Sequence, residues 1–89
     1  MKAVVIVQGV VQGVGYRFFV LNQARLFGIN GYVRNMPDGT VEVVAEGDKG
    51  IVNDFVERLR IGPLSAHVTG IDIKWDKKDS GFTEFRLRY

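Results

Sequence analysis

Two stretches of helical periodicity alternate with runs of β-branched residues, and one tight turn lies between them; that order leaves few folds open. Residues 2–9, KAVVIVQG, read as a strand, and their near-continuous valine and isoleucine predict an interior place in a sheet. Arg17 to Phe27 reads as a helix, because Val20, Ala24 and Phe27 fall at i, i+4 and i+7, Leu21 widens the stripe and Gly28 sits where a helix ends. Residues 30–36 read as a second strand. In Met36-Pro37-Asp38-Gly39 proline presets φ and glycine supplies a positive φ, so the chain turns straight back into residues 40–46. There Val41, Val43 and Ala45 share one face, while Thr40, Glu42 and Glu46 share the other, as in a half-buried strand. Asp48 is the expected N-cap of a second helix whose apolar face is Val52, Phe55, Val56 and Leu59, and Gly62-Pro63 stops it. Residues 67–76 follow, with Thr69, Ile71, Ile73 and Trp75 expected on one side. Phe85, Leu87 and Tyr89 alternate in a short last strand that Tyr89 is expected to close.

Strand, helix, strand, strand, helix, strand is the order of the split βαβ, ferredoxin-like arrangement. The expected fold class is therefore α+β: a βαββαβ sandwich with an antiparallel sheet, two helices on one face and a short C-terminal strand. With 89 residues, positions 1–89 are expected to form one domain that buries one compact core and not two.

Composition removes several classes of function. No apolar run approaches the roughly 20 residues that cross a bilayer, and the strand-like MKAVVIVQGV has no small-residue cleavage site, so neither a membrane anchor nor a signal peptide is expected. Twelve basic and ten acidic residues are mixed along the chain, and the net charge of +2 argues against a nucleic-acid partner. The chain has no cysteine, which removes disulfides, thiolate nucleophiles and thiolate metal sites and fits a cytoplasmic address. His67 is the one histidine, and its place after a loop marks it as a surface residue. Asp38 lies in the turn, and Asp72, Asp76 and Asp79 have the spacing of solvated surface charges.

The residues that carry chemistry begin at the end of the first strand. Val10-Val11-Gln12-Gly13-Val14-Gly15-Tyr16 joins a buried strand to a helix N-terminus, where free backbone N–H groups gather and the helix dipole adds partial positive charge. Glycines let successive N–H groups turn inward into a nest suited to an oxyanion, and the planar guanidinium of Arg17 can grip phosphate oxygens in a bidentate way. The loop lacks the Gly-Lys-Ser/Thr of a nucleotide P-loop, and Phe18 stands at the third glycine of a dinucleotide fingerprint. By itself it is also compatible with an ordinary strand-to-helix turn. The second strand delivers Arg34 and Asn35 just before the turn; alternation sends Arg34 to the other side of the sheet, and an asparagine there can simply cap a turn.

Taken together, VQGVGYR at 11–17 and GYVRNMPDG at 31–39 resemble the two signature segments of the acylphosphatases. The likeness covers the whole chain and includes the Ala-Arg-x-x-Gly-Ile run at 24–29, GTVEVVAEG at 39–47, Gly62-Pro63 and the aromatic-ended C-terminus. The resemblance implies a ferredoxin-like fold and hydrolysis of acyl phosphates to a carboxylate and inorganic phosphate, with no metal and no cofactor. It implies that the backbone of Val11, Gln12, Gly13, Val14, Gly15 and Tyr16 cradles the phosphate, that Arg17 binds it and that Asn35 orients the attacking water. Val10 departs from the pattern, since that position is usually basic in the family. The expected partner is a small acyl phosphate, and the expected form is a free-standing cytoplasmic monomer.

Two other readings are open to the same topology. An RNA-binding module needs exposed aromatics on its third strand, where this chain has TVEVVAE. A domain that binds a phosphorylated ligand without cleaving it would carry the same loop without the turnover.

Overall fold

The computed structural model describes residues Met1–Tyr89. The elements are β1 (Lys2–Val10), α1 (Tyr16–Phe27), β2 (Asn30–Asn35), β3 (Val41–Glu46), α2 (Lys49–Ile61), β4 (His67–Asp76) and β5 (Phe85–Arg88). They form one sheet in the order β4-β1-β3-β2-β5. β3 separates β1 from β2, and β1 separates β3 from β4, so both crossovers are split βαβ units. β1 is interior, as its composition predicts.

The core fills the space between the sheet and the helices. β1 contributes Ala3, Val5 and Val7, α1 contributes Tyr16, Val20 and Ala24, and α2 contributes Val52, Phe55, Val56 and Leu59. The predicted stripe of α1 thus begins one turn earlier, at Tyr16, while Leu21 and Phe27 are partly buried at its margins. Asp48 caps α2 through Oδ1, which accepts from the backbone N–H groups of Gly50 and Ile51 at 3.0 and 3.3 Å.

Four expectations need correction. The sheet is mixed, because β5 runs parallel to β2. The cause is the crossing from β4 to β5, which passes over the sheet end where β1 and β2 begin and β3 ends. Glu46 accepts from the backbone N–H groups of Ser80, Gly81 and Phe82, Lys2 Nζ donates to Ser80 Oγ, and Asn30 donates to the Phe82 carbonyl. β5 therefore starts from the end where β2 starts. The same contacts bury Glu46 to 7% exposure, although strand alternation placed it among solvated residues. In β4 the pairing with β1 slips between Gln8 and Gly9, so Thr69 leaves the inward set and is exposed; Val68, Ile71, Ile73 and Trp75 pack on the core. The last strand ends at Arg88, and Tyr89 lies beyond it, 95% exposed.

The opposite end of the sheet collects the end of β1, the end of β2, the start of β3 and the end of β5. The sequence-predicted chemistry all lies there.

Candidate active site

After Val10 the chain leaves the sheet and reaches α1 through a loop in which Gly13 and Gly15 have φ of 73° and 77°. A left-handed backbone at both positions favours glycine, and it turns successive peptide N–H groups toward one side. The loop's N–H groups from Val11 to Gly15 donate to no protein acceptor, and α1 has no side-chain N-cap. The helix ladder opens with Phe19 N–H donating to the Gly15 carbonyl at 3.1 Å, which leaves the first-turn N–H groups of Tyr16, Arg17 and Phe18 pointing outward. Unpaired amides at the positive end of a helix make this an electropositive concavity without any lysine.

That concavity is a pocket of about 90 Å³ bounded by Val11, Gly13, Gly15, Tyr16, Arg17 and Phe18 from the loop and helix, and by Asn35 from β2. The structure brings Arg17 and Asn35 to one pocket from segments 18 residues apart in sequence (35 − 17). Gln12 and Val14 are not among the residues bounding that pocket; the side chain of the one and the carbonyl of the other tether the loop, and the backbone N–H groups of both stay unpaired. Gln12 Nε2 donates to the carbonyls of Met36 and Thr40, both at 2.8 Å, which ties the loop to the β2–β3 turn. Val14 packs on the core, and its carbonyl accepts from Ser65 Oγ at 2.7 Å. Tyr16 is fully buried, and its hydroxyl donates to the Leu59 carbonyl at 2.8 Å, satisfying one of the last-turn carbonyls of α2. Burial pushes the Tyr16 phenol well above its ordinary range.

Arg17 is held from outside the loop by Arg88, which the sequence reading did not single out, and by Tyr89, which it treated as structural. Its Nη1 donates to the Arg88 carbonyl at 2.8 Å, and the guanidinium lies over the Tyr89 ring, 4.7 Å from the centroid. A guanidinium has five N–H donors, so this clamp leaves four for a ligand. Only a parallel β5 brings the C-terminus to this end of the sheet, and strand periodicity does not reveal that direction.

Asn35 is placed by β2, paired with Val41. Its Oδ1 is buried and has no hydrogen-bond partner. The asparagine does not cap the turn. That task falls to Asp38, whose Oδ1 accepts from Thr40 N–H and Oγ1 at 3.0 and 2.7 Å; these bonds hold the Asp38 carboxyl below its usual range. Arg34 points to the other face, as expected, and pairs through Nε with Glu42 at 2.8 Å. His67 is exposed and lies outside the pocket. No three His, Asp or Glu side chains cluster as a metal site would require.

Comparison with known proteins matches the acylphosphatase family model over residues 3–87. The chain belongs to the acylphosphatase family. It is 48% identical over 83 residues to the acylphosphatase of Chlorobaculum tepidum, covering 93% of this chain and 90% of that one. It is 44% identical over 87 residues to that of Deinococcus radiodurans, covering 98% and 99%. The crystal structure of acylphosphatase from Bacillus subtilis superimposes with a TM-score of 0.96 at 36% identity, covering 99% and 98%. The family is the one that VQGVGYR and GYVRNMPDG resemble, and the chain is an acyl-phosphate hydrolase with an α+β ferredoxin-like fold.

Proposed function

We propose that this family member hydrolyses the carboxyl–phosphate anhydride by holding the phosphoryl group on the amides of residues 11–16 and on Arg17, while Asn35 orients the attacking water. The observation that carries the proposal is the buried, unpaired Oδ1 of Asn35 at the same pocket as Arg17 and the free amides. A buried acceptor without a partner costs about 1–3 kcal/mol. A water that donates to Oδ1 removes that cost and turns a lone pair toward a phosphorus held by the amides.

The reaction needs little else. The water oxygen forms a bond to phosphorus, the bond from phosphorus to the acyl oxygen breaks, and the carboxylate leaves without prior protonation because it is a weak base. The water proton passes to a phosphoryl oxygen or to solvent, since a neutral amide is a poor base. Catalysis then rests on positioning and on charge stabilisation by preorganised donors. Fixed positive charge comes from Arg17 and the helix end, so the scheme asks for no metal or other cofactor. In the same reading the chain works as a cytoplasmic monomer on small acyl phosphates and not on nucleic acid, in keeping with its lack of cysteine and its mixed charge.

The test is turnover of benzoyl phosphate, with inorganic phosphate as competitive inhibitor, with and without a chelator. Arg17→Gln should weaken inhibition by phosphate and lower kcat. Asn35→Ala should lower kcat on the order of 100-fold, the effect of one lost transition-state contact, with phosphate inhibition unchanged. Full activity in Asn35→Ala refutes the water-orienting role, and loss of wild-type turnover with chelator refutes the metal-free scheme.

A further inference from the structure

The pocket's size says where the rest of the substrate goes. At about 90 Å³ it is a small pocket, open to solvent on one side, that suits a phosphoryl group with the acyl part toward its mouth. The acyl group is joined to phosphorus through one bridging oxygen, so it has to lie at the mouth. Three apolar side chains line the pocket. Val11 and Tyr16 are fully buried and serve the core, whereas Phe18 is 58% exposed. Phe18 belongs neither to the core cluster nor to the partly buried side chains packed on it; its neighbour Phe19 fills that role, with its ring 6.0 Å from that of Tyr16. The core thus does not call for an aromatic ring at position 18. Val10, the other exposed apolar residue beside the loop, brings no charge to that side.

We propose that the Phe18 ring is the platform for the acyl group, so that this chain selects acyl phosphates with an aromatic or extended apolar acyl part over acetyl phosphate. The proposal rests on the phosphate-site reading above. Arg17 and Phe18 are consecutive in the first turn of α1, so the residue that grips phosphate and the residue that meets the acyl group move as one rigid unit. Stacking of an aryl ring on Phe18 removes apolar surface of both from water and strengthens in any state where the phosphoryl group is seated.

The experiment measures kcat/KM for benzoyl phosphate and acetyl phosphate, and Ki for inorganic phosphate, in the wild type, Phe18→Ala, Phe18→Tyr and Tyr89→Ala. Phe18→Ala should lower the benzoyl-to-acetyl ratio about tenfold, a stacking contact plus its burial, through loss on benzoyl phosphate alone. Ki for phosphate should stay within twofold, and Phe18→Tyr should keep the wild-type ratio. An unchanged ratio beside an unchanged Ki overturns the platform and leaves the phosphate site standing. Equal losses on both substrates with a raised Ki overturn it too, because Phe18 would then be shaping the loop. A ratio that falls in Tyr89→Ala instead moves the contact to the other exposed ring and overturns the assignment. Wild-type protein that phosphate fails to inhibit refutes the phosphate-site reading and the platform with it.

Discussion

Replacing Gln12 tests how the pocket keeps its shape. Gln12 Nε2 spends both its protons on carbonyls of the β2–β3 turn, Met36 and Thr40, each at 2.8 Å. Both carbonyls also accept backbone bonds, Met36 from Gly39 N–H at 3.1 Å and Thr40 from Met36 N–H at 2.8 Å, so the turn survives the loss. The missing contribution is two part-buried bonds at about 1 kcal/mol each, hence about 1–2 kcal/mol for Gln12→Ala. At roughly 4–8 °C per kcal/mol for a domain of this size, that lowers the melting midpoint by about 5–15 °C. The loop, freed on one side, then spends part of its time in shapes that do not bind. Apparent phosphate affinity falls with the competent fraction, by up to about thirtyfold if the lost tether alone held the shape. Gln12→Glu sets a carboxylate against two carbonyls and should be worse than Ala at neutral pH. Thermal melts with the Ki for phosphate decide the matter. A Gln12→Ala protein that melts within about 2 °C of wild type and binds phosphate equally well refutes the tether.

Three further outcomes follow from the same geometry. Tyr89→Ala removes an exposed cation–π contact to Arg17, worth about 0.5–1 kcal/mol; KM for benzoyl phosphate should rise a few-fold and the melting midpoint fall by about 2–8 °C, while Tyr89→Phe should change neither. Tyr16 has a phenol pKa raised above its ordinary 10.0, so its contribution to stability is intact below pH 10 and is lost above it, where the unfolded chain ionises and the folded one does not. Unfolding free energies from denaturant titrations between pH 8 and 11 should therefore fall by up to about 1.4 kcal/mol per pH unit above pH 10, and Tyr16→Phe should lose that slope while costing about 1 kcal/mol at neutral pH through the unpaired Leu59 carbonyl. Gly15→Ala should cost only about 1–2 kcal/mol of conformational strain, because a Cβ there meets nothing within 4 Å, whereas at Gly31 it would lie 1.8 Å from the Val44 carbonyl oxygen and Gly31→Ala should fail to yield folded protein by circular dichroism.

Much of this was legible in the sequence because it depends on short-range patterns. The helices follow from i, i+4 spacing at Val20 and Ala24 and at Val52 and Val56, and the turn follows from Pro37 and Gly39. Arg17 and Asn35 stand out because each closes a motif beside a local backbone signal, a glycine loop and a turn. Three long-range features escaped. The direction of β5 depends on how residues 77–84 cross the sheet, which Glu46 decides by binding three amides across a gap of 34 to 36 residues. The exposure of Thr69 depends on a one-residue slip against Gln8 and Gly9, which a period of two cannot contain. The contact of Arg17 with Arg88 and Tyr89 spans the whole chain and depends on both. Family likeness supplied what periodicity could not, namely a reaction for the pocket.

The loop's hydrogen bonds are divided in a way that explains why so few side chains are needed. Every tether that fixes its shape uses a side chain or a carbonyl: Gln12 donates to the turn, the Val14 carbonyl takes the Ser65 hydroxyl, the Gly15 carbonyl takes Phe19 N–H, and Tyr16 donates to Leu59. None consumes an N–H of residues 11–15. Carbonyls are partly negative and would repel a phosphate; those of Val14 and Gly15 are engaged by protein donors instead. A lysine in the pocket would give more charge, but it would have to be held against its own rotamer entropy and its strong hydration. Amides fixed by tethers already paid for in folding reorganise little when charge shifts toward the leaving oxygen. The site can therefore do with one guanidinium and one carboxamide, provided that Gly13 and Gly15 keep the backbone free to aim its donors.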